Sequence, residues 1–207
     1  MSLTKKLLQL IVIVCASIFI QQAYADDQRD INQLIQNLYT EDAKALLCSD
    51  PNGEQNEQLI AVSERYISSD FMKYFKQVCL GHPSVWLKDI RTGQAGLFSY
   101  DDSKAEFTNL NVEQPKVKGD HARIRTTYDF PEVNYKDFGN FSMFTLIKEN
   151  GLWKIDDIEL GGHDLDKYNE RESRTGLQAI KSLKQYLKRG LAEAAAEKKA
   201  SEKDTSK

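Results

Sequence analysis

Asn150-Gly151 stands between two runs that alternate as strands do, and no other feature restricts the fold so tightly. A two-residue type I′ turn needs positive φ at both central positions, which Asn and Gly adopt at least cost. Phe141 to Lys148 is therefore expected to pair antiparallel with Leu152 to Leu160, the strand that carries Trp153 and Ile155. The first run is apolar on both faces and should lie more centrally. Upstream, Ala122, Ile124, Thr126, Tyr128 and Phe130 alternate with Arg123, Arg125, Thr127 and Asp129, the period of a strand with one buried and one polar face. Lys118-Gly119-Asp120 reads as the turn joining it to an earlier strand over Glu106 to Glu113, and Gly161-Gly162 closes the sheet.

Helical periodicity flanks this meander. Ile31, Leu34, Ile35 and Leu38 form one stripe, and Ala43, Leu46 and Leu47 a shorter one. Asp50-Pro51-Asn52-Gly53 has turn chemistry, and a second helix is expected over Glu57 to Tyr66. Ser68-Ser69-Asp70 supplies an N-cap for a third, with Phe71, Tyr74, Phe75 and Val78 on its apolar side and Gly81 and Pro83 as stops. Val85 to Tyr100, broken by Gly93 and Gly96, is read as a loop and short strand over a pocket mouth. After Ser173, a plausible cap, Leu177, Ile180, Leu183, Leu187 and Leu191 recur at spacings of three and four. This predicts a C-terminal helix over 173–199 and a disordered polar tail over 200–207. Helices, then an antiparallel meander, then a helix define an α+β fold in which N-terminal helices pack on a curved sheet.

The N-terminus specifies a compartment. Lys5-Lys6, an apolar run from Leu7 to Ile20 and Ala23-Tyr24-Ala25 before Asp26 are the three parts of a cleavable secretion signal. The run falls short of the roughly 20 residues that span a bilayer, and Ile13-Val14 before Cys15 does not fit a lipidation site. Residues 1–25 are expected to be removed, leaving 182 of the 207 and, with Lys5 and Lys6 gone, a net charge of −5 in place of −3. The remaining domain, 26–165 with its C-terminal helix, is expected to be periplasmic. An acidic chain without clustered bases is a poor nucleic-acid binder, and no later segment is apolar enough to cross a membrane. In an oxidising compartment the two remaining cysteines, Cys48 and Cys79, are expected to form a disulfide.

The hairpin Phe141 to Ile158, of the form apolar strand, Lys-x-Asn-Gly-x-Trp-Lys-Ile-x-x-Ile, resembles the last hairpin of the nuclear-transport-factor-two-like superfamily. With the secretion signal and the helix start Tyr66-Ile67-Ser68-Ser69-Asp70-Phe71, the chain is similar over about residues 30 to 162 to small bacterial periplasmic proteins of the YbjP/YqhG type. The resemblance implies a cone with a pocket between helices and sheet. It transfers no catalytic motif, and the long C-terminal helix departs from a bare cone.

No catalytic set stands out. His82, His121 and His163 are separated and read as loop residues, and His163-Asp164 with Asp166 matches neither a zinc nor a calcium pattern. Asp156 and Asp157 are neighbours on a strand, so they are expected to face opposite ways and not to act as a pair. The remaining site candidates are Trp86, Arg125, Tyr128, Phe144 and Trp153 as a pocket lining, and Leu177, Ile180, Leu183, Leu187 and Leu191 as a helix face for a partner. Neither metal nor cofactor is expected. The reading is a non-enzymatic exported accessory or binding protein that recognises a protein partner, in the envelope or a second copy, or a small apolar ligand. Its rivals are an immunity or inhibitor protein acting on a periplasmic toxin or hydrolase, and an enzyme built in the pocket.

Overall fold

The computed structural model of the chain describes residues 22, 24–39, 56–81, 108–129, 140–162 and 181–204. Three helices precede the sheet: α1 (24–39), α2 (Asn56–Ser63) and α3 (Ser69–Gly81). Five strands follow, β1 (Thr108–Val112), β2 (Lys116–Lys118), β3 (His121–Asp129), β4 (Asn140–Glu149) and β5 (Leu152–Gly162), and then α4 (Leu183–Asp204). The fold is α+β, as its periodicities require. Trp86, Cys48, Ser173, Leu177 and Ile180, with the expected strand over 85–100, lie outside the described residues.

The sheet is antiparallel in the order β1-β3-β4-β5, with β2 also on β3. β4 is central, as its two-sided apolarity predicts. Asn150 and Gly151 both take positive φ, 51° and 81°, the mark of a type I′ turn. Gly119, at φ 59°, opens the other tight turn. The strand expected over 106–113 is one half of an interrupted edge: β1 and β2 pair with successive stretches of β3, and Glu113 N still donates to Arg125 O at 2.9 Å between them. Pro115, which has no N–H to offer, ends the first half.

One face of the sheet is filled in rows. Ala122, Leu146 and Ile155 form the first, and Ile124, Phe144 and Ile158 the next, all buried. Thr126 and Ser142 continue the pattern and are fully buried hydroxyls. Ile31, Ile35 and Leu38 of α1, together with Phe71, Phe75 and Val78 of α3, belong to the same core. Their spacings place them on single helix faces, as expected.

Three helix boundaries differ from the sequence reading. The helix expected over 173–199 is interrupted at Lys181 and Ser182, and α4 starts at Leu183. The helix expected to reach Tyr66 ends at Ser63, because the chain beyond it is drawn to the edge of β5. Ile155 N donates to Tyr66 O at 2.7 Å and Ser68 N donates to Ile155 O at 2.8 Å, a short parallel bridge that covers this edge. At its C-terminus α4 runs to Asp204, past Lys199, after which the sequence places a disordered tail. Glu197, Lys198, Lys199, Glu202 and Lys203 are strong helix formers, and propensity carries the helix on without burial.

Candidate functional site

The expected pocket residues are not gathered at one point. Trp86 and the side chain of Tyr128 lie outside the described residues. Phe144 is wholly buried, its ring edge-on to Tyr39 with centroids 6.3 Å apart. Arg125 alternates with buried Ile124 and Thr126 and so occupies the other face of β3, its guanidinium 4.6 Å above the Phe141 ring and its Nε 3.9 Å from Glu113. Trp153 is buried beside the β4–β5 turn and donates its indole N–H to Asp27 at 3.0 Å. In the C-terminal stripe, Leu183 and Leu187 are spent on the chain's own core, and Leu191 packs partly against it.

The polar chemistry converges instead at the edge of β5. Thr145 pairs with Asp157 but Leu146 pairs with Ile155, so Asp156 is the extra residue of a β-bulge. This overturns the expectation that Asp156 and Asp157 diverge: alternation holds only for an unbroken strand, and the bulge turns both toward the helix starts. Ser68 Oγ donates to Asp156 Oδ1 at 2.7 Å and accepts from Phe71 N at 3.1 Å, which makes it the N-cap of α3. Ser182 does the same for α4, donating to Asp157 Oδ2 at 2.5 Å and accepting from Gln185 N at 3.1 Å. Asp157 Oδ1 also accepts from Lys184 N at 3.0 Å and from Ile158 N at 2.8 Å. Two adjacent carboxylates thus serve the N-termini of two helices, where the helix dipole favours negative charge.

Lys184 joins the two halves. Its Nζ lies 2.8 Å from Asp156 Oδ2 and 3.3 Å from Asp70 Oδ2. Burial by itself would lower the Lys184 pKa, but its bonds to Asp156 and Asp70 outweigh that and hold it above the usual lysine range. The bond from Lys184 is the main reason Asp70 is held below the usual carboxylate value. The cation that this carboxylate group receives is the chain's own ammonium. Among the described residues no group of His, Cys, Asp and Glu is arranged to hold a metal ion.

Two further polar contacts cross between elements. Asp27, in the first turns of α1, accepts from Lys148 Nζ at 2.6 Å and from Trp153 Nε1 at 3.0 Å, while Lys148 also sits 5.3 Å over the Trp153 ring. Burial tends to raise the Asp27 pKa, but these two donors and the lysine charge bring it below its ordinary value. Deeper in, Tyr39 OH shares a 2.8 Å hydrogen bond with Thr126 Oγ1, and burial pushes its pKa up to about 12 against the opposing effect of Ser142 and Thr126. The phenol is therefore a neutral hydrogen-bonding group, closing the end of α1 on the hydroxyl row of the sheet.

The sequence reading missed Asp27, Tyr39 and Lys184. Tyr39 extends the stripe of Ile31, Ile35 and Leu38 by one position, a signal that was available. Lys184 and Asp156 are 28 residues apart, and no pattern announces their contact. His121 is exposed at the start of β3, whereas His82 and His163 lie outside the described residues. Among the described residues no helix is long and apolar enough to cross a membrane. No protein-family model matches the chain, and no curated protein matches it.

Proposed function

We propose that this chain is an exported, non-enzymatic accessory or binding protein of the periplasm, recognising a protein partner or a small apolar ligand. One observation carries the reading. Asp156, Asp157 and Lys184, and likewise Asp27 and Lys148, are spent on one another, on helix caps and on joints between elements. Groups so committed stabilise an architecture; a general acid or base has to exchange protons with a substrate within hydrogen-bond reach.

Export is supported by the leader sequence, and Asp27, the second residue after the proposed cut, is tied to the sheet by side-chain bonds. A Cys48–Cys79 disulfide belongs to the same proposal. Its support is the burial of Cys79 at the end of α3 and the oxidising compartment that the leader implies. The cone-like form and the kinship with the nuclear-transport-factor-two-like superfamily are also proposed, resting on the Asn150-Gly151 hairpin and the order of helices before a meander.

Affinity capture with the mature protein from envelope extract tests this reading, using an unrelated exported domain as control. A partner retained in fixed stoichiometry, or an apolar small molecule found by mass spectrometry of the purified protein, supports it. Turnover in a panel of hydrolase substrates that survives repurification and is lost on substituting a single buried carboxylate or hydroxyl would contradict it.

A further inference from the structure

We propose that α4 is a charge-latched strap, held at its first turn by the Asp156–Asp157 bulge and opening as a unit before the sheet does. The grip of α4 is confined to its start. Leu183 and Leu187 are its buried large side chains, Tyr186 and Leu191 pack only partly, and every residue from Ala195 to Lys203 is exposed. What the helix lacks in apolar contact it makes up at its N-terminus, where Ser182 Oγ, Lys184 N and Lys184 Nζ all donate to the two bulge carboxylates.

The latch faces charged groups from each element packed around it. From β5 come Asp156 and Asp157, and from α3 come Asp70 and Lys73, the last 3.5 Å from Asp70. α4 itself brings Lys184. With a carboxylate neutralised, the Lys184 ammonium, one-fifth exposed, loses a partner without gaining full hydration. The sheet does not depend on the strap in the same way. Its inner rows are also covered by α1 and α3, and β4 is bonded on both sides. Local opening draws on the elements with few buried apolar contacts, and α4 is such an element.

Hydrogen exchange read by mass spectrometry on the full mature chain tests the proposal, comparing wild type with Asp156→Asn and Ser182→Ala. In wild type, the amides over 187–199 should exchange faster than those of β4. Each substitution removes a cap or a charge-assisted bond, so α4 exchange should rise by about tenfold or more while β3 and β4 keep their protection. Leu187→Ala, which loosens the apolar grip, should open the same segment. Exchange of α4 and β4 at one common rate in wild type would overturn the proposal. So would acceleration by Leu187→Ala alone, since the carboxylates would then hold nothing.

Discussion

Asp27 offers the most direct link between a short contact and a measurable stability. Asp27→Asn keeps an oxygen for the Trp153 N–H but removes the charge that faces Lys148. A hydrogen bond to a charged group contributes about 1.5–3 kcal/mol net, whereas exposed ion pairs give about 0.2–1 kcal/mol. The side chains of Lys148 and Asp27 keep 27% and 21% of their exposure, which places the pair between these limits. The expected loss is about 1–2 kcal/mol, or a urea midpoint lower by about 0.5–1 M for a slope near 2 kcal/mol/M. Asp27→Ala should cost more, because the buried indole N–H is then left without an acceptor. The pH dependence has a fixed sign. Asp27 titrates below its ordinary value of 3.8, so its contribution is present above that value and is lost as pH falls through the lower, folded one. Unfolding followed by tryptophan fluorescence at several pH values should show a constant gap between wild type and Asp27→Asn above about pH 5, closing toward pH 2. A gap that is absent at pH 7, or that persists unchanged at pH 2, would refute the argument.

Four other substitutions probe different parts of the fold. Tyr39→Phe should cost about 0.5–1.5 kcal/mol in chemical denaturation, by taking one hydrogen-bonding group from a fully buried row. Gly151→Ala should destabilise by about 1–2 kcal/mol because φ is 81° there although the space around it is open, whereas Gly81→Ala, also in open space but at the end of α3 and not at positive φ, should be neutral or slightly stabilising; thermal melts separate the two. Cys48→Ser should lower stability by about 2–5 kcal/mol, and the unreduced, denatured mature protein should show almost no thiol reactive to a labelling reagent.

The sheet was legible because its signals are local. Alternation over Ala122, Ile124 and Thr126 and the Asn150-Gly151 turn each determine a conformation within a few residues. The bulge was legible in principle. Trp153 and Ile155 keep a period of two, but the next inward residue is Ile158, three positions on, so one residue must be extra. The early end of α2 was not legible, since it follows from Tyr66 and Ser68 bonding to Ile155, a contact nearly ninety residues away in the chain. The same holds for Lys184. Helical periodicity marks it as lying off the apolar stripe, but which carboxylates it meets depends on where α4 docks. The resemblance to a known hairpin pointed to aromatic residues as a pocket lining; the packing uses Phe144 as core and Trp153 as the seat of Asp27.

The central proposal is an exported domain whose working chain starts at Asp26, within α1, and the intact mass of the protein isolated from the envelope fraction tests it most directly. The account predicts the mass of a chain beginning at Asp26, shorter by two hydrogens in the unreduced state for the Cys48–Cys79 bond. A chain that retains Met1 to Ala25, or one carrying a lipid on Cys15, would contradict it.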